Sequence, residues 1–263
     1  MGRLRNALML LIGLGFTTAV YAIDVVKEFS AMAVQQAPGK PAFQAKMYVS
    51  KNAVRTDYKI NDTNVIEIVF PQRHLQVLLV PGEKIYLESE NKTSVTAAEK
   101  NTSDKNPCAG RPDTECKSLG KETINNRETE KWEFLTKRNG RTFRSLHWID
   151  VQRHMPIREF LPDGTVTELK IVGRDKMDGR DTEKWLFQIT RADGQSVTST
   201  QWYDPELQMA IREDMPGGYL RELRDIKTGD QKKSLFEIPK DFHKVEQLPA
   251  KLRPPVMPEG TPR

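Results

Sequence analysis

The chain repeats itself once, and this repetition constrains its fold more than any other feature. The stretch from Gly120 to Ile171 is echoed from Gly173 to Ile226. Arg127, Thr129, Glu130, Lys131, Trp132 and Phe134 recur 53 positions later as Arg180, Thr182, Glu183, Lys184, Trp185 and Phe187. Trp148, Asp150, Ile157, Arg158, Glu159, Gly164, Glu168 and Leu169 recur 54 positions later as Trp202, Asp204, Ile211, Arg212, Glu213, Gly218, Glu222 and Leu223. The one-residue slip falls where KRNG becomes TRADG, so a turn absorbs it. A period of this size marks a repeated supersecondary unit.

Turn dipeptides fix the kind of unit. Asn125-Asn126 matches Asp178-Gly179, Asn139-Gly140 matches Asp193-Gly194, and Asp163-Gly164 matches Gly217-Gly218. Such pairs supply the positive φ angles that tight hairpins need. Each copy therefore reads as strand, turn, strand, turn, strand, corner, strand, turn, strand. TELKIVGRDKM, from Thr167 to Met177, has no breaker except Gly173, so the last strand of one copy runs on as the first of the next. The expected fold is mainly β, a curved antiparallel sheet with an internal repeat of about 54 residues and few or no long helices.

The N-terminal third fits the same sheet. FSAMAVQQ, AFQAKMYVS, AVRTDYKI, NVIEIVF, HLQVLLV and KIYLES are strand-length runs separated by turn residues, which predicts a six-strand meander over 23–88. Residues 89–118 turn polar and charged, predicting a linker that ends in a cysteine loop, with a short helix near Val95 to Lys100 as one option. The duplicated region then spans 119–247, as copies 119–172 and 173–227 followed by a final strand, SLFEIP. The proline-rich end, 248–263, is expected to be an extended tail.

The first residues have the pattern of a secretory leader. Arg3 and Arg5 precede an apolar run from Ala7 to Phe16, and Val20, Tyr21 and Ala22 offer a small-residue cleavage site. This predicts a leader over 1–22 and a soluble periplasmic product. The apolar run is shorter than the ~20 residues a membrane span needs, and no cysteine stands directly after the cleavage site to accept a lipid. Removing Arg3 and Arg5 leaves 39 basic and 36 acidic side chains, net +3, with signs interspersed. That balance describes a solvated surface and argues against a nucleic-acid partner. Cys108 and Cys116 are the only cysteines. After export they are expected to form a disulfide that pins their loop.

Few residues suggest chemistry. Trp132 with Phe134, and Trp185 with Phe187 and Ile189, alternate onto one strand face, the pattern of a sheet interior or of an apolar surface for an acyl chain. Asp150 and Asp204 end strands before a corner, where aspartate caps turns. Arg158-Glu159 and Arg212-Glu213 have the pattern of cross-strand ion pairs. His147 and His154 straddle the corner without an evident carboxylate or thiol partner, so no metal site is predicted. No nucleophile motif or phosphate loop is present. The sequence therefore nominates no catalytic residue and no cofactor.

AKMYVSKNAVRTDY, IEIVFPQRHLQVLLVPGEKIYLE, the repeated W-x-D followed by I-R-E and Gly, and the closing LFEIPKDFHKV resemble the periplasmic outer-membrane lipoprotein-sorting superfamily of LolA and LolB. An uncharacterised secreted family related to it is similar too. The resemblance covers most of the chain beyond the leader. It implies an antiparallel half-barrel whose concave apolar face holds an acyl chain, with Arg55 in the position of an arginine near the ligand. The carriers begin with a helix and use helices as a lid, and this chain shows neither pattern. The expectation is a non-enzymatic protein binding lipid or lipidated protein through Met47, Val77, Leu79, Trp132 and Trp185, with Arg55 as polar anchor. The alternative is a protein-interaction module of envelope assembly or stress sensing that uses the sheet or its edges.

Overall fold

The computed structural model describes residues 25–90, 106–108, 111 and 113–252. The leader, the optional helix near Val95 to Lys100 and residues 253–263 lie outside the described residues. Sixteen strands and four 3-10 turns make up the described chain, and no α-helix occurs among the described residues. The strands are β1 (Phe29–Gln36), β2 (Phe43–Val49), β3 (Val54–Ile60), β4 (Thr63–Phe70), β5 (Leu75–Val80), β6 (Ile85–Glu90), β7 (Thr114–Ile124) and β8 (Arg127–Arg138). Then follow β9 (Arg141–Asp150), β10 (Pro156–Phe160), β11 (Val166–Met177), β12 (Arg180–Thr190), β13 (Ser196–Asp204), β14 (Met209–Met215), β15 (Tyr219–Thr228) and β16 (His243–Lys244). One open sheet has the order β16-β6-β5-β4-β3-β2-β1-β15-β14-β13-β12-β11-β10-β9-β8-β7. The mainly β, antiparallel class that the turn spacing implied is the observed one.

The chain divides into two compact units, and one of the boundaries falls within β15, between Glu222 and Leu223. The first unit contains the β1 to β6 meander and the C-terminal segment. Its strands change direction at Pro71 and Pro81, each opening a 3-10 turn closed by a left-handed residue, His74 or Lys84. Directly opposed residues share a face of an antiparallel pair. One face thus carries the row Ala31, Met47, Thr56, Glu67, Leu78 and Leu87, and the other carries Tyr48, Arg55, Ile68, Val77 and Glu88.

The C-terminal segment covers both faces. SLFEIP, expected as a strand, instead contains a 3-10 turn, Lys233–Phe236. Phe236, Ile238 and Phe242 pack against Ile68, Val77 and Leu79. Next, β16 pairs in parallel with the edge strand β6, with the His243 and Val245 N–H groups donating to the Lys84 and Tyr86 carbonyls at 2.8 Å each. Leu248 and Leu252 then bury themselves against Val65, Leu78 and Val80 on the opposite face. The expected tail therefore begins with packed chain, because two leucines among its prolines find an apolar surface. The expected linker is likewise strand at both ends, with β6 reaching Glu90 and β7 starting at Thr114. The tight hairpin at Asn125 and Asn126 zips β7 onto β8 far enough to bring Cys116 opposite Phe134.

The second unit holds β7 to β14. Here β11 is continuous through Gly173, where the register shifts by one residue, so a single strand pairs with β10 and then along the length of β12. Related bulges leave Ile157 of β10 and Ile211 of β14 without an opposed residue. A bulge leaves one residue unpaired and sharpens the local twist.

Candidate functional site

Equivalent positions of the two stretches make the same contacts on one face of the second unit. The Arg127 guanidinium pairs with the Asp150 carboxylate, and Arg180 with Asp204. Asp150 Oδ1 accepts the N–H groups of Gln152 and Arg153 at 2.9 Å each, while Asp204 Oδ1 accepts those of Glu206 and Leu207 at 2.8 and 3.0 Å. These aspartates therefore cap their corners, as expected, and anchor an arginine as well. Burial pushes the Asp150 carboxyl up, but hydrogen bonds from Arg127, Arg153 and Gln152 outweigh it and hold the group below the ordinary range. The indole N–H of Trp148 donates to Glu122 and that of Trp202 to Asp175. Lys131 and Arg158 lie over the Trp148 ring, Lys184 and Arg212 over Trp202. Arg158 and Arg212 reach across to Glu168 and Glu222 at 3.4 Å each. This face is a lattice of charges and aromatic rings whose partners are already in place.

The other face of the unit carries two apolar clusters. Trp132 and Phe134 pack with Cys108, Cys116 and Ile149. Ile157, Leu169 and Trp185 form a second cluster with Ile124, Met155, Ile171, Phe187 and Tyr203. The Trp185 ring stacks on Tyr203 at 4.3 Å, and Arg153 covers both while gripping Glu183 with two 2.7 Å hydrogen bonds. From this centre the apolar character continues outward along the ladder. Leu169 opposes Phe187, while Ile189 opposes Val197, which is 45% exposed. Phe143, one repeat before Val197, is 40% exposed.

The six ligand residues expected from sequence do not form one surface. Trp132 and Trp185 lie on the apolar face just described, at 8% and 3% exposure. In the first unit, Met47 opposes Thr56 on one face, whereas Arg55, Val77 and Leu79 belong to the other. Val77 and Leu79 are buried beneath Phe236, Ile238 and Phe242. The Arg55 guanidinium is held by both Asp57 oxygens, at 2.6 and 2.8 Å, and by the Leu235 carbonyl at 2.8 Å. It anchors the C-terminal segment to the meander. On the Met47 face, burial pushes the Glu67 carboxyl up, against hydrogen bonds from Gln76 and Tyr58.

Sequence spacing concealed one polar cluster. His147, expected to lack an acidic partner, contacts Glu159 through Nδ1 at 2.9 Å and Ser145 through Nε2 at 2.7 Å. Thr167 donates to the second Glu159 oxygen at 3.0 Å. The signal that would have found Glu159 is the Asp163-Gly164 turn, which sets the β10/β11 register, together with the corner that folds β10 back on β9. Among the described residues no group of three or more His, Cys, Asp or Glu could hold a metal ion. No described helix is long and apolar enough to cross a membrane.

Cys108 and Cys116 form a disulfide with Cα atoms 5.8 Å apart. Closing so short a loop is worth roughly 2 to 3 kcal/mol through the unfolded chain. Reduction is expected to lower unfolding stability by that amount, measured as a lower urea midpoint with and without reductant. An unchanged midpoint would show that the loop is held by other contacts.

No family model and no curated protein matches the chain by sequence. Solved structures do resemble it. A LolA superfamily protein from Nitrosomonas europaea is 11% identical with a TM-score of 0.34, covering 84% of this chain and 96% of its own. An outer membrane lipoprotein-sorting protein domain from Vibrio parahaemolyticus is 10% identical with a TM-score of 0.29, covering 85% and 94%. MucB in the Pseudomonas aeruginosa MucA/MucB complex is 12% identical with a TM-score of 0.33, covering 89% of this chain and 65% of its own.

Proposed function

We propose that the chain is an exported envelope protein that binds the acyl chain of a lipid or lipidated protein on the apolar face of its second unit. The observation that carries this reading is the continuity of that face. Its rings and aliphatic side chains run without a charged residue from buried Leu169 through Phe187 and Ile189 to exposed Val197. Scattered exposed apolar residues are ordinary, but a contiguous path from core to solvent is a place for an apolar ligand. Its paired faces divide labour, since the opposite side of the same strands is saturated with ion pairs and hydrogen bonds. A fatty acid with a fluorescent tail tests this directly. The wild-type protein should bind it, and Val197→Asp with Phe143→Asp should weaken binding at least about tenfold, or ~1.4 kcal/mol. Both positions are exposed, so the thermal midpoint should hold. A wild-type protein that binds no fatty acid, and carries no lipid after gentle purification, would sink the reading.

A second reading rests on a separate observation. β7 ends the strand order, and its outer side pairs with no other strand among the described residues. Such an edge can accept a strand from another protein. Crosslinking in cells distinguishes the two: a carrier traps lipid or lipoproteins, and a strand-pairing module traps one recurrent partner at β7.

A further inference from the structure

The Ser145, His147, Glu159 and Thr167 cluster stands on three adjacent strands, and with a neutral imidazole its hydrogen bonds fit one arrangement of protons. Thr167 donates to one Glu159 oxygen, and the other faces His147 Nδ1. Hydrogen bonding to His147 holds the Glu159 carboxyl below its ordinary range, against burial and with help from Thr167. An ionised carboxylate only accepts, so the neutral imidazole carries its proton on Nδ1. Nε2 is then an acceptor, and the Ser145 hydroxyl at 2.7 Å donates to it. A hydroxyl held by an imidazole that a carboxylate orients is the arrangement of an activated nucleophile.

The second copy supplies an internal comparison. One repeat on, Ser199, Gln201, Glu213 and Arg221 occupy the same places. Gln201 donates to Glu213 at 2.8 Å, and Arg221 pairs with the other Glu213 oxygen at 3.4 Å. The carboxylate and serine thus recur without a base. Packing alone is satisfied by glutamine at this position, so histidine brings a proton acceptor that the fold does not require.

The surroundings also suit an acyl substrate. Ser145 opposes Phe134, whose ring lies 4.1 Å from the His147 ring. The Arg111 guanidinium stands 5.9 Å over that phenyl ring, placed by the disulfide-pinned loop. Exposed Phe143 is two residues along the strand from Ser145, on the same face. Apolar groups therefore border the hydroxyl, and a cation covers one of them.

We propose that Ser145 is a nucleophile that cleaves carboxylic esters with apolar acyl groups, with His147 as general base and Glu159 as its positioning residue. Ser145 Oγ attacks the ester carbonyl carbon while its proton passes to His147 Nε2. The bond from carbon to the alcohol oxygen breaks, and that oxygen takes the proton from Nε2. Water then gives a proton to Nε2 and attacks the acyl carbon, the bond from that carbon to Oγ breaks, Oγ takes the proton back from Nε2, and the carboxylic acid leaves. The proposal does not depend on acyl-chain binding at the Val197 end of the face.

The test uses a fluorophosphonate probe and p-nitrophenyl butyrate with the purified chain. Wild type should be labelled at the peptide containing Ser145 and should hydrolyse the ester above the buffer rate. Ser145→Ala should abolish labelling. His147→Gln, which copies the Gln201 arrangement, should fold with an unchanged thermal midpoint and lose at least about 100-fold in both readouts. An unlabelled wild type, labelling at another serine, or a His147→Gln variant that reacts at the wild-type rate would each overturn the assignment. Wild-type labelling and its mapping decide the matter even where a variant is unstable.

Discussion

Replacing Asp150 with alanine should cost about 3 to 5 kcal/mol of unfolding stability, which few single substitutions in this chain should match. The carboxylate is 1% exposed and makes three hydrogen bonds at once. Its loss leaves the Arg127 guanidinium, itself mostly buried, without its counter-charge, and two backbone N–H groups of the corner without an acceptor. Asp150→Asn keeps an oxygen for those N–H groups and should lose roughly half as much. The pH dependence has a definite sign. A carboxyl held below its usual value contributes stability that is complete above the unfolded value of about 3.9 and is lost as pH falls through the folded value. Wild type should therefore lose more stability between pH 5 and pH 3 than Asp150→Asn does. Urea melts of the three proteins across that range measure both effects, and a loss under 1 kcal/mol for Asp150→Ala would refute the argument.

Ending the chain at Asp230 should leave the first unit unable to fold. The removed segment withdraws Phe236, Ile238 and Phe242 from one face of the meander and Leu248 and Leu252 from the other. At about 1.5 to 3 kcal/mol for each of the two buried leucines, and less for each of the three half-buried side chains, the loss approaches the whole stability of an ordinary domain, about 5 to 15 kcal/mol. The hydrogen bonds of β16 along β6 and the Arg55 bond to the Leu235 carbonyl go with it. The expected result is insoluble protein, or soluble protein that binds an apolar dye and melts without cooperativity. A chain ending at Leu252 should melt like the full-length protein, which separates packed residues from the proline-rich end. A cooperative melt for the shorter chain would overturn this account.

The limits of the sequence as a guide follow from these two cases. The six N-terminal strands were readable because Pro38-Gly39, Pro71 and Pro81-Gly82 punctuate runs with one clear periodicity. The corners were readable because Trp-x-Asp recurs, and an aspartate before a turn has a local role. Trp132 and Trp185 were correctly turned inward by alternation alone. Placing Arg55 with Met47 failed for a reason of parity. Met47 opposes Thr56 and Tyr48 opposes Arg55, so the SKNA connection sets which neighbours share a face. A one-residue change of register exchanges the faces. Long-range partners were equally hidden. Nothing near Arg55 announces the Leu235 carbonyl, and a 12-residue separation does not announce that Glu159 will meet His147. SLFEIP has strand composition, but tertiary contacts with Ile68 and Val77 hold it as a turn, an override that propensity cannot foresee.

The continuous strand β11 has a consequence for how such a chain can change in length. Its first half closes one copy of the repeated pattern and its second half opens the next, with Gly173 at the joint. A copy therefore begins with the kind of strand with which it ends, and its two ends are compatible. Duplicating a further 54-residue segment at this joint would add strands in register and extend the sheet, while neither neighbour would need a new side chain to receive it. Gain or loss of a whole copy changes the number of strands while preserving every hairpin, and Gly173 marks where the copies join.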